Sequence, residues 1–383
     1  MTSAAGAHGA EASRGGVPLT RRMIAFDRLR FLITIAGIAC AVVLILFLLS
    51  LYHGTRVESN GYIADRPAQA WVTQDNTTNF IKSSSFLRAS GGDSLRRLPS
   101  VAEVSPILRL ITMVDIGRTR TTAIVLGIDA ASSLARPRVV DGRDSVGRGE
   151  VILDRALAAR YGARVGDSLQ VQGRPFRLVG VSRGTNAVLT QLAFIPLDDA
   201  RDLLGFRDIA SFLLVRAAPS VTPAALAQAL QGRLPHTNVF TQEAFAENNM
   251  EALRGGLLPI LETVAALGIA VALAVLSLLL YGAVLERRES YAVLKAIGAS
   301  DTYLARLVVL QALSAVGGGL LAGIAMYAVA VPVATHLVPV MALSLPLASL
   351  AWVALAVVVM GGAAAVLPLR RVARIHPAEL FRA

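Results

Sequence analysis

Glu286–Ser300 reads ERRESYAVLKAIGAS, a compact mixed-charge segment set between two long stretches of hydrocarbon. No Asp, Glu, Lys or Arg occurs from Thr263 to Leu285, and none from Leu307 to Leu369. A helix needs about 20 consecutive apolar residues to cross a bilayer, so the lengths of these stretches decide the fold class. Phe31–Leu51 (FLITIAGIACAVVLILFLLSL) is one run of that length and Leu257–Leu285 is a second. Leu307–Leu369 is too long for one span and suits two, with Pro332, His336, Pro339 and Pro346 marking a hairpin near its middle. The expected spans are 31–51, 257–285, 307–331 and 345–367, with a short external loop at 332–344.

Composition agrees with a membrane protein. The chain has 383 residues, 54% of them hydrophobic and only 16% charged, against about a quarter charged in soluble domains. The Thr20–Phe26 stretch TRRMIAF resembles a twin-arginine export signal, but the apolar run behind it is too long for a cleaved signal and LYHGTRVES offers no small-residue cleavage site. The first span is therefore expected to stay as an anchor. The single cysteine, Cys40, lies inside it, which excludes an intrachain disulfide.

The net charge of +11 is distributed by topology. Residues 1–30 carry Arg14, Arg21, Arg22, Arg28 and Arg30; the 286–306 loop carries Arg287, Arg288, Lys295 and Arg306; the tail carries Arg370, Arg371, Arg374 and Arg382. Basic residues beside spans mark the cytoplasmic side. Both termini and the 286–306 loop are thus expected in the cytoplasm, leaving 52–256 as one large extracytoplasmic domain with a small positive excess. The basic balance is accounted for by topology, and no nucleic-acid partner is expected.

That domain alternates in strand fashion at Ala70–Gln74, Pro106–Ile116, Arg120–Asp129, Ser168–Gly173, Phe176–Ser182 and Ser211–Ala217. Helical patterns fall at Asp93–Val104, Asp154–Ala163, Asp198–Gly205 and Thr222–Leu234. The order strand, helix, strand occurs twice, the second time ending in His236–Thr241. The two units are expected to share one small sheet with helices on one face, with Gly149–Pro196 as a separate β-rich insert; ordinary α+β pieces without symmetry are the alternative. Thr241–Gly256 reads as a helix capped by Thr241 and leading into the second span.

Catalytic chemistry finds little support. There is no G-x-x-x-x-G-K-[ST], and the only lysines are Lys82 and Lys295. His8, His53, His236, His336 and His376 are scattered, which gives no metal-ligand spacing, and no G-x-S-x-G is present. The acid pairs Asp141 with Asp144 and Asp198 with Asp199 sit beside arginines and turn residues, as solvated or helix-starting acids do. Glu262 is an acid one to two turns inside the second span, where it reaches water at the boundary or serves a function. Gly319 with Gly323, and Gly37 with Ala41, have the spacing that lets helices approach closely in lipid, between spans or across a dimer.

On a helix, Tyr291, Leu294 and Ile297 share one side of the charged segment while Arg288 and Lys295 share another. Gly298 is the expected stop, and Ser300 the expected cap of the next helix with Asp301 in its first turn. A solvated loop would need neither the apolar side nor the defined stop. The expected form is a short amphipathic helix on the cytoplasmic face.

Glu286–Gly323, ERRESYAVLKAIGASDTYLARLVVLQALSAVGGGLLAG, resembles FtsX-like permeases, the membrane subunits of ABC transporters of the MacB, LolC/LolE and DevC kind. Ile297 stands where leucine is common in that family. The tail RVARIHPAELFRA resembles the family's ending, with Phe381 inserted before Arg382, and VGDSLQVQGRPFRLVGV from Val165 is similar to its periplasmic core domain.

The resemblance implies four transmembrane helices with one α+β extracytoplasmic domain between the first two, in a bacterial inner membrane. It implies a coupling helix comprising Glu286, Arg287, Arg288, Glu289, Tyr291, Leu294, Lys295, Ile297 and Gly298, gripped by a separate ATP-binding subunit. That subunit would hold the ATP and Mg, leaving this chain noncatalytic and without its own cofactor. It further implies a second permease chain forming a homodimer, a periplasmic adaptor or envelope protein, and membrane lipid as partners, and export or extrusion of a lipid-like, lipoprotein or amphipathic substrate. An FtsX-type transmitter that regulates a cell-wall protein without moving a substrate is the alternative.

Overall fold

The computed structural model describes residues 28–81, 85–187, 190–285, 293–295 and 297–373. Their contacts divide the chain into two compact units. One holds Leu51–Glu262 together with Val333–Ser344; the other holds the residues up to Ser50, Thr263–Pro332 and those from Leu345 onward.

The first unit is built on strands β1 (Ala70–Gln74), β2 (Val101–Ile116), β3 (Thr119–Ile128), β4 (Arg138–Gly142), β5 (Glu150–Asp154), β6 (Ser168–Val171), β7 (Arg174–Arg183), β8 (Asn186–Ala187), β9 (Thr190–Pro196), β10 (Phe212–Ala217) and β11 (Thr237–Thr241). The main path of the sheet runs β11-β1-β10-β2-β3-β9-β5-β7-β4. Short helices connect the strands: α2 (Gly91–Arg96), α3 (Arg155–Tyr161), α4 (Leu197–Leu204), α5 (Pro223–Leu230) and α6 (Gln242–Arg254). The longer helices are α1 (Arg28–Ala64), α7 (Leu257–Leu285), α8 (Asp301–Leu337) and α9 (Leu347–Ala373).

The two strand-helix-strand units, β1-α2-β2 and β10-α5-β11, do interleave in one sheet, since β10 lies between β1 and β2. Alternate side chains of these strands point to opposite faces, and each face has its own core. On one, Leu95 of α2 and Leu226 and Leu230 of α5 pack on Val72, Val104, Leu213 and Val215. On the other, Trp71, Phe212 and Leu214 meet Tyr62 and Ile63 of α1, Phe80 and Phe245 of α6. Trp71 stacks on Phe245 at 4.9 Å between ring centres and meets Phe212 edge-on at 6.0 Å. Thr241 caps α6 by accepting from the Ala244 amide at 3.2 Å, and Gly255 closes α6 two residues before α7 begins.

Four expectations need correction. The helical pattern at Asp93–Val104 ends after one short helix, because Pro99 disfavours helix at the residue before it and Val101–Ile107 is drawn into pairing with β10. The Gly149–Pro196 block is not a separate insert. The far half of β2 pairs with β3, β3 pairs with β9, and β5 and β7 follow, so one long strand carries the sheet from the first half into the second. Pro332 is not in a hairpin but inside α8, which continues to Leu337, so the α8–α9 connection begins at Val338. Helix α1 likewise continues past Leu51 to Ala64, with Thr55, Ser59, Tyr62 and Ile63 buried. Gly54 and Gly61 lie in this polar end of α1, where glycine costs a helix about 1 kcal/mol relative to alanine.

The second unit is helical. Phe31–Ala64, Leu258–Leu279 and Thr302–Leu337 are long and apolar enough to cross a membrane, and Leu347–Met360 is a shorter apolar segment among the described residues. Ile38, Ala41, Val42, Ile45 and Leu46 of α1 form its core with Ala272 of α7, Ala312, Ala315 and Val316 of α8, and Val353 and Val357 of α9. Glycines set the closest approaches. A Cβ on Gly319 would strike Ile38, and one on Gly323 would lie 2.7 Å from Val42 Cβ and 3.0 Å from the Ala39 carbonyl oxygen. Gly37 faces Leu279 of α7 in the same way, and Gly268 faces Leu48.

Two consequences can be measured on the detergent-solubilised chain by thermal melting followed by circular dichroism. Trp71 is fully buried and its Nε1 finds no hydrogen-bond partner among the described residues. Trp71→Ala should cost about 3–5 kcal/mol, whereas Trp71→Phe, which leaves a smaller cavity and also removes the unpaired N–H, should cost clearly less; equal losses would contradict this packing. Gly319→Val should lower the melting temperature, and Ile38→Ala in the same chain should restore part of the loss. Simple addition of the two effects would show that these residues do not touch.

Candidate functional site

The turn between α7 and α8 is specified by backbone hydrogen bonds. Val293–Lys295 are helical, and the Ile297 amide donates to the Val293 carbonyl at 3.1 Å. The Gly298 amide then donates to Lys295 O at 3.1 Å and the Ala299 amide to Leu294 O at 3.0 Å. This nested pair is the Schellman closure of a helix C-terminus. It requires a left-handed residue, and Gly298 has φ +101°. Among the described residues, no atom lies within 4 Å of the position its Cβ would take, so the left-handed conformation itself calls for glycine.

One residue later a new helix begins. Ser300 Oγ accepts from the Tyr303 amide at 3.3 Å, and the Ser300 carbonyl accepts from the Leu304 amide at 3.1 Å. Stop and restart are thus separated by Ala299 alone. Along that segment Ile297 is 77% exposed and Val293 is also exposed, while Leu294 and Lys295 are half-buried. Glu286, Arg287, Arg288, Glu289 and Tyr291 lie outside the described residues.

Of the other singled-out residues, Gly37, Ala41, Gly319 and Gly323 all lie at helix contacts within this one chain. Glu262 lies in the first turns of α7 and is exposed. Its Oε1 accepts a hydrogen bond from Tyr52 Oη at 2.7 Å, and the Arg56 guanidinium lies 5.8 Å from the centre of the Tyr52 ring. The acid therefore ties α1 to the start of α7. Sequence reasoning could not pair residues so far apart in the chain, and only the Tyr and Arg beside a span end hinted at an interfacial cluster.

Several other acids act as caps and ion-pair partners. Asp198 and Asp199 open α4; Asp198 pairs with Arg201 at 3.3 Å, and Asp199 accepts from the Gly149 amide at 2.8 Å. The Arg120 guanidinium, hydrogen-bonded to Asp115 at 2.6 Å, holds that carboxyl below its ordinary range. Asp154 caps α3 through the Ala156 amide at 2.8 Å and accepts from Thr185 Oγ1 at 2.7 Å. Burial pushes the Asp154 carboxyl up, and those hydrogen bonds pull it partly back. Among the described residues, no three His, Cys, Asp or Glu side chains converge on a metal-sized site.

Known proteins match both parts of the chain. Residues 31–233 match the MacB-like periplasmic core domain, and residues 262–377 match the FtsX-like permease C-terminal region. Uncharacterized ABC transporter permeases of Mycobacterium bovis and Mycobacterium tuberculosis are 26% identical over 368 residues, 94% of this chain and 97% of theirs. A further Mycobacterium tuberculosis permease is 25% identical over 356 residues, 92% of this chain and 95% of its own. Among solved structures, the periplasmic region of MacB from Actinobacillus actinomycetemcomitans is 14% identical with a TM-score of 0.39, covering 47% of this chain and 91% of that one. The extracellular domain of the transporter YknZ from Gram-positive bacteria is also 14% identical, with a TM-score of 0.35 over 45% of this chain and 99% of its own. Long apolar helices and a MacB-like domain together make this an integral membrane protein. The chain belongs to the ABC transporter permeases of the MacB/FtsX type.

Proposed function

We propose that this chain is the membrane subunit of an ABC transporter whose ATP-binding subunit is a separate polypeptide. That subunit holds the ATP and Mg, and this chain is noncatalytic. The observation that carries the proposal is the glycine-stopped, serine-restarted turn at Val293–Leu304, which offers the exposed Ile297 beside Lys295. A helix whose end is fixed against the next span can transmit a push along it; a loose loop would absorb the push. Glu286–Gly298 is the coupling helix in this account. Its apolar side, Tyr291, Leu294 and Ile297, enters a groove on the ATPase, and Arg288 and Lys295 meet acids at the rim.

Helix α9, at 27 residues, is about 40 Å long at 1.5 Å per residue. That exceeds the roughly 30 Å of hydrocarbon, so α9 serves as the fourth span beside α1, α7 and α8. Both termini and the coupling helix then lie in the cytoplasm and the sheet-bearing unit outside the inner membrane. Two such chains form the working pair, and ATP-driven movement of the outer units exports or extrudes a lipid-like, lipoprotein or amphipathic substrate.

Two experiments test the coupling assignment. Capture of the ATP-binding subunit by the tagged, detergent-solubilised chain should fall at least about tenfold in Arg288→Glu with Lys295→Glu, the loss expected from more than about 1.4 kcal/mol of interface charge pairing; undiminished capture would remove the assignment. Gly298→Ala leaves every charge in place but puts a Cβ on a left-handed residue at a cost of about 1–2 kcal/mol. It should reduce permease-stimulated ATPase activity several-fold while the thermal melt of the remainder stays put. Full stimulation by this variant would show that the stop is not used.

A further inference from the structure

The connection between α8 and α9 is held to the sheet-bearing unit, of which Val333–Ser344 is part. Gly54 and Gly61 are seven residues apart on α1 and so share a face. A Cβ on Gly54 would strike the Ala342 carbonyl oxygen and lie 2.9 Å from the Ser344 nitrogen; one on Gly61 would lie 2.6 Å from the Gly184 carbonyl oxygen. Both approaches are backbone on backbone, where only glycine fits. Between them, Asn186 Nδ2 donates to the Val340 carbonyl oxygen at 2.9 Å, and Asn186 Oδ1 accepts from Gln191 Nε2 at 3.3 Å. Asn186 and Gln191 are both buried.

The turn that carries Asn186 is itself fixed. Thr185 Oγ1 donates to Asp154 Oδ2 at 2.7 Å and lies 2.7 Å from Ser182 Oγ, which donates in turn to the Leu153 carbonyl at 3.3 Å. Hydrogen bonds therefore tie the 338–344 connection to Asn186, and its covalent neighbour Thr185 to the end of β5. An ordinary connection between two apolar helices needs only polar turn residues. This one is clamped, at the expense of two helix-weakening glycines in α1 and a buried side-chain amide.

We propose that Val338–Ser344 is a second handle on the sheet-bearing unit, latched by Asn186, Gly54 and Gly61. Through it, displacement of α8 and α9 is delivered to the β5-β7-β9 part of the sheet rather than through α1 alone. The proposal rests on the transmission role given above, and Asn186 is a positioning residue in it.

The test uses the full chain with its ATP-binding subunit in lipid nanodiscs, followed by amide hydrogen exchange without nucleotide and with ATP and vanadate. In Asn186→Leu, exchange of residues 338–344 should accelerate roughly five- to tenfold, the effect of one lost buried hydrogen bond. The nucleotide-dependent change in protection of Glu150–Arg183 should shrink by at least half, with ATPase capture as in the parent. Gly54→Ala should act in the same direction from the other side of the latch. A parent that responds to nucleotide, with both variants responding equally, would overturn the latch and leave the transmission role standing. A parent whose sheet-bearing unit shows no nucleotide response would overturn both.

Discussion

Hydrocarbon cannot hydrogen-bond an open backbone or solvate a charge, so every break in the long helices must fall where water or protein can satisfy it. The rest of this molecule is arranged around that constraint. The uncharged stretch Thr263–Leu285 has to be helix, as does Leu307–Leu369 apart from the Val338–Pro346 connection, and the charged residues between the two stretches have to lie outside the hydrocarbon. The chain meets the constraint at Gly298 and Ser300 with a stop and a cap, which satisfy the orphan carbonyls and amides of two helix ends within a few residues. A turn that compact has a definite geometry, and a definite geometry can be docked against and pushed.

In the helical unit, helices gain nothing from burying apolar surface against one another in lipid, so association depends on how closely their backbones approach. Gly319 and Gly323 against Ile38 and Val42, and Gly37 against Leu279, supply that closeness. The sheet-bearing unit is held by an ordinary aqueous core instead. Its continuity comes from β2, whose near half pairs with β10 and whose far half pairs with β3, so the aromatic core around Trp71 and the aliphatic core around Leu153 and Phe176 share one strand. A load applied to either half is therefore carried by a backbone ladder and not by a linker.

Much of this was legible in the sequence. The apolar runs gave the long helices, period-two alternation gave most of the strands, and the repeated strand-helix-strand order gave the shared sheet, though not the β11-β1-β10-β2 order in which the two units interleave. Gly298 and Ser300 could be recognised because helix ends use few residue types. What was hidden depends on residues far apart in the chain. Val101–Val104 fits a helix or a strand by pattern, and pairing with β10 decides it. The polar end of α1 loses its apolar signal at Leu51, yet stays helical because Tyr62 and Ile63 enter the sheet's core. Pro332 marks a turn by composition but is carried inside α8, and Glu262 had no visible partner until Tyr52 was brought beside it.

The central claim is that Glu286–Gly298 is where an ATP-binding subunit grips this permease. The most direct measurement is amide hydrogen exchange of the intact chain in lipid nanodiscs, with and without that subunit. The account predicts protection concentrated in residues 286–300, with little change in the Arg371–Ala383 tail. Protection of the tail or of the segment before Phe31, with 286–300 exchanging as fast as in the free chain, would contradict it.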